Sequence, residues 1–159
     1  MANVKPIPTG MESLIPHITV KNAKEAIEFY KQAFGAQELG VFPTPDGRVM
    51  HAALKISGGH LYLNDEFPEM KGAPAPSPAA SAPFVINLYV ENADQTFDRA
   101  VKAGAKSKMP LTDMFWGDRY GQIIDPFGYH WSIAQHIEDV TPEEMKKRGE
   151  AMFAEPAHK

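Results

Sequence analysis

The strongest constraint on this chain is that its sequence repeats at a single spacing. Setting residue i against residue i+70 brings Val20 onto Val90, Asn22 onto Asn92, Ala23 onto Ala93 and Ala33 onto Ala103. With no change of spacing, Ile27 meets Phe97, Leu54 meets Ile124, Gly58 meets Gly128, His60 meets His130 and Leu63 meets Ile133. Identities are few. One offset held from position 20 to 63 nevertheless describes a duplicated unit, which must build the same elements twice.

A segment of different composition lies between the copies. From 71 to 83 every residue except Lys71 and Gly72 is Ala, Pro or Ser, and Pro74, Pro76, Pro78 and Pro83 fall within it. Such backbone has little to bury and favours extended, water-exposed conformations. The expected organisation is a tail over 1–12, a first module over 13–66, a Pro/Ala-rich linker over 67–83, a second module over 84–136, and a C-terminal helix and tail over 137–159.

Each copy reads as strand, helix, then three strands. The Ile, Thr and Val of 14–20 predict a strand that stops at Asn22, a good helix N-cap. Ala26, Ile27, Phe29, Tyr30, Ala33 and Phe34 then fall on one helical face, and Gly35 stands where a C-terminal cap belongs. Strands over 38–42, 49–56 and 60–64 follow, divided by Pro45-Asp46-Gly47 and Gly58-Gly59 turns. The second copy repeats the order: a strand over 84–90, the Asn92 cap, a helix over 93–103, and strands near 106–111, 119–124 and 129–134. Thr141-Pro142-Glu143-Glu144 has the form of a capping box and predicts a last helix over 142–153, whose Met145, Met152 and Phe153 need cover from the chain itself or from a partner.

Composition removes several classes of function. A net charge of −4 and a pI near 5.8 lack the basic patch that nucleic-acid binding requires. No window approaches the ~18 apolar residues of a membrane helix, and Met1-Ala2-Asn3-Val4-Lys5-Pro6 lacks the apolar core of a signal peptide. The absence of cysteine excludes a disulfide framework, thiolate zinc sites and a cysteine nucleophile, and fits a cytoplasmic protein. The sequence also has no Gly-x-Gly-x-x-Gly, P-loop or Gly-x-Ser-x-Gly motif. The acidic pairs Asp65-Glu66 and Glu138-Asp139 fall at strand ends, where solvation is the simpler reading.

Two tandem βαβββ modules, with Ala26-Ile27-Glu28-Phe29-Tyr30 and Phe34-Gly35-Ala36 in the first helix region, resemble the vicinal oxygen chelate superfamily. Phe115-Trp116-Gly117-Asp118-Arg119-Tyr120-Gly121 and Asp125-Pro126-Phe127-Gly128 with Trp131 add to the likeness. The superfamily includes glyoxalase I, bleomycin-resistance proteins, fosfomycin-resistance enzymes and extradiol dioxygenases. Asp46-Gly47-Arg48-Val49-Met50-His51 is similar to the PhnB-like subgroup. The resemblance implies an α+β fold of two βαβββ modules, forming cupped mixed sheets around a cavity, with the short C-terminal helix added. The paired modules come from one chain or are exchanged within a homodimer. In enzymatic members, a divalent metal (Mn, Fe, Ni, Co or Zn) is held by His, Glu or Gln near the start of each module and by Glu in each last strand.

Carried onto this chain, those four slots read Ile15, Tyr62, Val85 and Ser132, which offer no usual ligand set. A shift of two keeps the strand face and substitutes His17, Asn87, His60 and His130. No metal cofactor is expected. If one binds, its ligands are His17, His60 and His130, without a carboxylate. His51, on the face of its strand opposite Ala52, Leu54 and Ile56, is the candidate hydrogen-bonding group or general base. His17, Tyr62, Asn87, Trp116, Tyr120 and Ser132 are the candidate ligand-binding residues, with the aromatic rings suited to a planar or amphiphilic molecule.

Three functions remain open on the sequence. One is a binding protein that takes a small molecule into a metal-free, aromatic-lined cavity. Another is a metal-dependent lyase, isomerase or dioxygenase of the glyoxalase type. The third is an accessory domain whose cavity its own side chains fill. A small-molecule ligand and a homodimer are the expected partners, with neither nucleic acid nor membrane.

Overall fold

The structure, a computed structural model, describes residues 4–77 and 80–154. Parts of the two predicted tails (1–3 and 155–159), and Pro78 and Ala79 of the predicted linker, lie outside the described residues. The first unit comprises β1 (His17–Val20), α1 (Ala23–Phe34), β2 (Gln37–Pro43), β3 (Val49–Ile56) and β4 (Gly59–Asp65). The second comprises β5 (Val85–Tyr89), α2 (Ala93–Lys102), β6 (Lys106–Asp113), β7 (Asp118–Ile124) and β8 (His130–His136), and α3 (Pro142–Ala154) ends the chain. The predicted elements are all present, with ends displaced by three residues or fewer.

Local chemistry accounts for these boundaries. The Asn22 side chain accepts from the Glu25 N–H at 3.2 Å and Asn92 from the Gln95 N–H at 2.9 Å, so equivalent residues start both helices. Gly35 ends α1 at φ 66°, in the left-handed region that disfavours a side chain. At α3 only half of the expected capping box forms. Thr141 Oγ1 accepts from the Glu144 N–H, whereas the Glu144 carboxylate pairs with Arg148.

Both sheets have the same order, β1-β4-β3-β2 and β5-β8-β7-β6. The first pair in each is parallel and the others antiparallel, so the sheets are mixed. One hydrophobic core serves both units. It takes Ile18, Val20, Leu54 and Leu63 from the first sheet and Ile123, Trp131 and Ile133 from the second, with α1 and α2 packed together inside it. Tyr30 and Phe34 of α1 contact Trp131 of β8, with ring centroids 5.5 and 4.7 Å apart. The buried Asp125 carboxylate anchors the junction. It accepts from Tyr30 Oη at 2.7 Å, Trp131 Nε1 at 2.9 Å and the N–H groups of Phe127 and Tyr129.

The proline-rich segment is less free than its composition predicts. A 3-10 turn occupies Pro68–Met70, and the buried Phe67 ring stacks beneath the Arg48 guanidinium. Ala82 is buried and donates to the Gly128 carbonyl, and Glu66 accepts from the Ala75 N–H. Contacts with both units supply hydrogen bonds that an isolated Pro/Ala run would take from water.

Candidate functional site

Each sheet turns one face to the shared core and the other away from it, and strand alternation places the candidate residues on the outer faces. On the first sheet, His17 of β1 pairs in register with Tyr62 of β4, which pairs with Ala53 of β3. His51 of β3 stands opposite Phe42 of β2. These strands bring three candidates into one ring cluster. His51 and Tyr62 have centroids 4.8 Å apart, His17 and His51 5.7 Å, and His17 and Tyr62 5.9 Å, all edge-on. Phe42 joins at 6.3 Å from His51, and the Tyr62 hydroxyl donates to the sulfur of Met11 at 3.5 Å. Burial, and then the neighbouring His17, hold the His51 imidazole below its ordinary pKa.

On the second sheet, Asn87 of β5 pairs with Ser132 of β8, and Ser132 with Gln122 of β7. The Ser132 hydroxyl donates to Asn87 Oδ1 at 2.5 Å. Tyr120, one pair along, accepts from Gln122 Nε2 at 2.8 Å and meets Trp116 edge-on at 5.7 Å, with Phe115 beyond at 5.1 Å from Trp116. Asp118 organises the end of this face. It is buried and accepts from Tyr89 Oη at 2.6 Å, Trp116 Nε1 at 3.1 Å and His136 Nδ1 at 2.9 Å. Burial alone would push the Asp118 carboxyl up, but these donors outweigh it and hold the group below the usual aspartate range. His136 also bonds Asp139 at 2.9 Å. Both acceptors are carboxylates, so Asp139 first and Asp118 second raise the imidazole pKa and favour its doubly protonated form.

The two groups of candidates do not meet. No hydrogen bond or ring contact joins His17, His51 or Tyr62 to Asn87, Trp116, Tyr120 or Ser132 among the described residues, because the shared core lies between the two outer faces. No single cluster of the described residues therefore combines the candidates of both sheets. His60 and Asn87 share a cleft of about 270 Å³ with Leu14, Leu61 and Tyr89, where the turn before β4 approaches β5. Another cleft, of about 360 Å³, lies between Pro76 and the Asp125–Gly128 turn and contains none of the candidates.

Register shows which of the counted positions lie side by side. Tyr62 pairs with His17 rather than with Ile15, which precedes β1, and Ser132 pairs with Asn87 while Val85 pairs with His130. The adjacent-strand positions are thus His17, Tyr62, Asn87 and Ser132, a set with one imidazole and no carboxylate. The alternative set also fails to assemble: His17 lies in the ring cluster, His60 lines the cleft beside Asn87, and His130 bonds Ser81 Oγ at 2.9 Å. Among the described residues no three His, Cys, Asp or Glu side chains gather as a metal would require. A donor set without carboxylates does not match the His and Glu ligation expected from the resemblance.

Sequence reading missed Phe42, Met11, Tyr89 and His136. Tyr89 and His136 could have been found, since they lie two and four residues beyond Asn87 and Ser132 on the same strand faces. Phe42 could not: β2 carries register shifts between Glu38 and Gly40 and between Phe42 and Pro43, so its partner cannot be counted from a turn. Two arginines near these residues have carboxylate partners. Arg48 pairs with Asp46 and Glu69, and Arg119 with Asp94 and Asp113.

Comparison with known proteins adds a family to this geometry. The sequence profile of the Glyoxalase/Bleomycin resistance protein/Dioxygenase superfamily matches residues 14–133. The uncharacterized protein Rv0887c of Mycobacterium tuberculosis is 45% identical over 136 residues, covering 84% of this chain and 80% of its own length. The PhnB protein of Bacillus cereus has a similar fold, with a TM-score of 0.59 at 16% identity over 78% of this chain and 99% of its own. The fosfomycin resistance protein FosX of Listeria monocytogenes, solved with Mn(II) and sulfate, gives a TM-score of 0.58 at 18% identity, covering 86% of this chain and 95% of its own.

Proposed function

Since the chain belongs to the Glyoxalase/Bleomycin resistance protein/Dioxygenase superfamily, we propose that it binds a small organic molecule against its aromatic sheet faces, without a metal centre. The observation that carries this reading is the pair of ring clusters on the outer faces: His17, His51, Tyr62 and Phe42 on one sheet, Trp116 and Tyr120 on the other. Aromatic walls with a few placed polar groups suit a planar or amphiphilic ligand.

A cavity walled by both ring clusters needs a second copy, because within a chain the two clusters do not touch among the described residues. We assign the functional form to a homodimer in which the first sheet of one copy faces the second sheet of its partner. Phe42, Val85 and Tyr89, 63%, 47% and 53% exposed on those faces, would be covered by such pairing. A metal-dependent reaction, which the Mn(II) of FosX would favour, asks for carboxylates that His17, Tyr62, Asn87 and Ser132 do not supply.

Screening a diverse fragment library by ligand-observed NMR, alongside sedimentation velocity, tests both parts. Aromatic fragments should bind the wild type and lose affinity in Tyr62→Ala and Trp116→Ala, with the protein sedimenting as a dimer. Elemental analysis after growth with Mn, Fe, Ni and Zn provides the opposing result. A stoichiometric metal that is lost on His17→Ala would overturn the metal-free reading.

A further inference from the structure

The first sheet's outer face has a composition that narrows its ligand. His51 is flanked by His17 on β1, Tyr62 on β4 and Phe42 on β2, with Lys55 and His60 farther along the same face. Met11 of the N-terminal segment reaches this cluster through the Tyr62 hydroxyl. The polar groups here are donors and imidazoles, and no carboxylate bonds or pairs with His17, His51, Lys55 or His60 among the described residues. The imidazoles of His17 and His51 also make no hydrogen bond to any described residue, although His51 is only partly exposed.

Resting on the small-molecule reading above, we propose that the His17–His51 pair is an acid-capturing anchor: it binds a weakly acidic aromatic or enolic hydroxyl and takes its proton. Two imidazoles this close resist carrying two charges, so the pair has room for one added proton. The ligand O–H bond breaks, its electron pair stays on oxygen, and an N–H bond forms at an unprotonated ring nitrogen of the pair. The imidazolium then donates back to the new phenolate or enolate as a charge-assisted hydrogen bond. Tyr62 and Phe42 provide the apolar walls for the ring that carries the hydroxyl. Burial and His17 leave His51 unprotonated before the ligand arrives, and the charge-assisted hydrogen bond to the new anion has to offset their opposition to the imidazolium.

The test uses the full-length protein with 4-nitrophenol, whose phenolate has its own absorption band, and nitrobenzene, which has the same ring without the hydroxyl. Below the probe's own pKa, the wild type should bind 4-nitrophenol with the phenolate band visible. Binding heats should be equal in two buffers of different ionisation enthalpy, because the proton passes to the protein rather than to the buffer. His51→Gln and His17→Gln should each lose the band and weaken 4-nitrophenol by roughly ten- to a hundredfold, well beyond any loss of nitrobenzene binding. Equal binding of the two probes with no phenolate band would overturn the anchor and leave the aromatic pocket standing. A band accompanied by proton release to the buffer would also overturn it, pointing to Lys55 as a purely electrostatic anchor. If neither probe binds, the anchor fails together with the small-molecule reading on which it rests.

Discussion

Two buried aspartates do different work in this molecule. Asp125 ties the two units together through Tyr30 and Trp131, whereas Asp118 fixes rings on an outer face through Tyr89, Trp116 and His136. Burial holds Asp125 above the usual aspartate range even with its four donors. Tyr30→Phe should destabilise the fold by about 1.5–3 kcal/mol in urea unfolding, since it removes one donor from a carboxyl that water cannot reach. His136 gives a pH signature. Its folded pKa is raised above the ordinary 6.5, so its stabilising contribution is full below that value and is lost as pH rises through the folded pKa. The melting temperature should therefore fall across that window, and the fall should shrink in His136→Ala; an unchanged slope would show that the Asp139 and Asp118 pairings do not stabilise the fold.

The elements depend on a few backbone positions as much as on apolar pattern. Gly117, in the turn between β6 and β7, has φ +97°, and its carbonyl accepts from the N–H groups of Ile137 and Glu138. A Cβ at Gly117 would collide with the Glu138 carbonyl oxygen, which is backbone and cannot swing aside. Gly117→Ala should cost at least about 2 kcal/mol and disturb the Trp116 and Asp118 positions that flank it. Thermal melts monitored by circular dichroism would read the first effect and Trp fluorescence the second. The turn was legible in the sequence as a glycine after Phe115-Trp116, but its close approach to 137–138 was not, because no local pattern records what packs over a turn.

At the scale of the molecule, one core makes the two repeats interdependent. Trp131 is 2% exposed and contacts α1 of the other unit through Tyr30 and Phe34, so the halves share their largest buried side chain. Trp131→Ala should cost about 3–5 kcal/mol. Both units should then unfold together in one calorimetric transition, with amide exchange protection falling in β1–β4 as well as in β5–β8. Two separated transitions would mean that each unit carries its own stability.

The sequence by itself determined the duplicated strand–helix–strands order, both asparagine caps and the superfamily, because helix and strand periodicity, capping and turn chemistry act over a few residues. It also placed His51 on the strand face opposite Ala52, Leu54 and Ile56, since alternation along a strand is local. Only the tertiary structure decided that Tyr62 sits beside His17, that Phe42 and Met11 join the imidazole pair, and that Asp118 gathers Tyr89, Trp116 and His136. It also decided that the two ring clusters stay apart within the chain, among the described residues. Register is set by pairing between distant strands, and the facing of the modules by how two helices and Trp131 fill one core. Neither depends on neighbours in the chain.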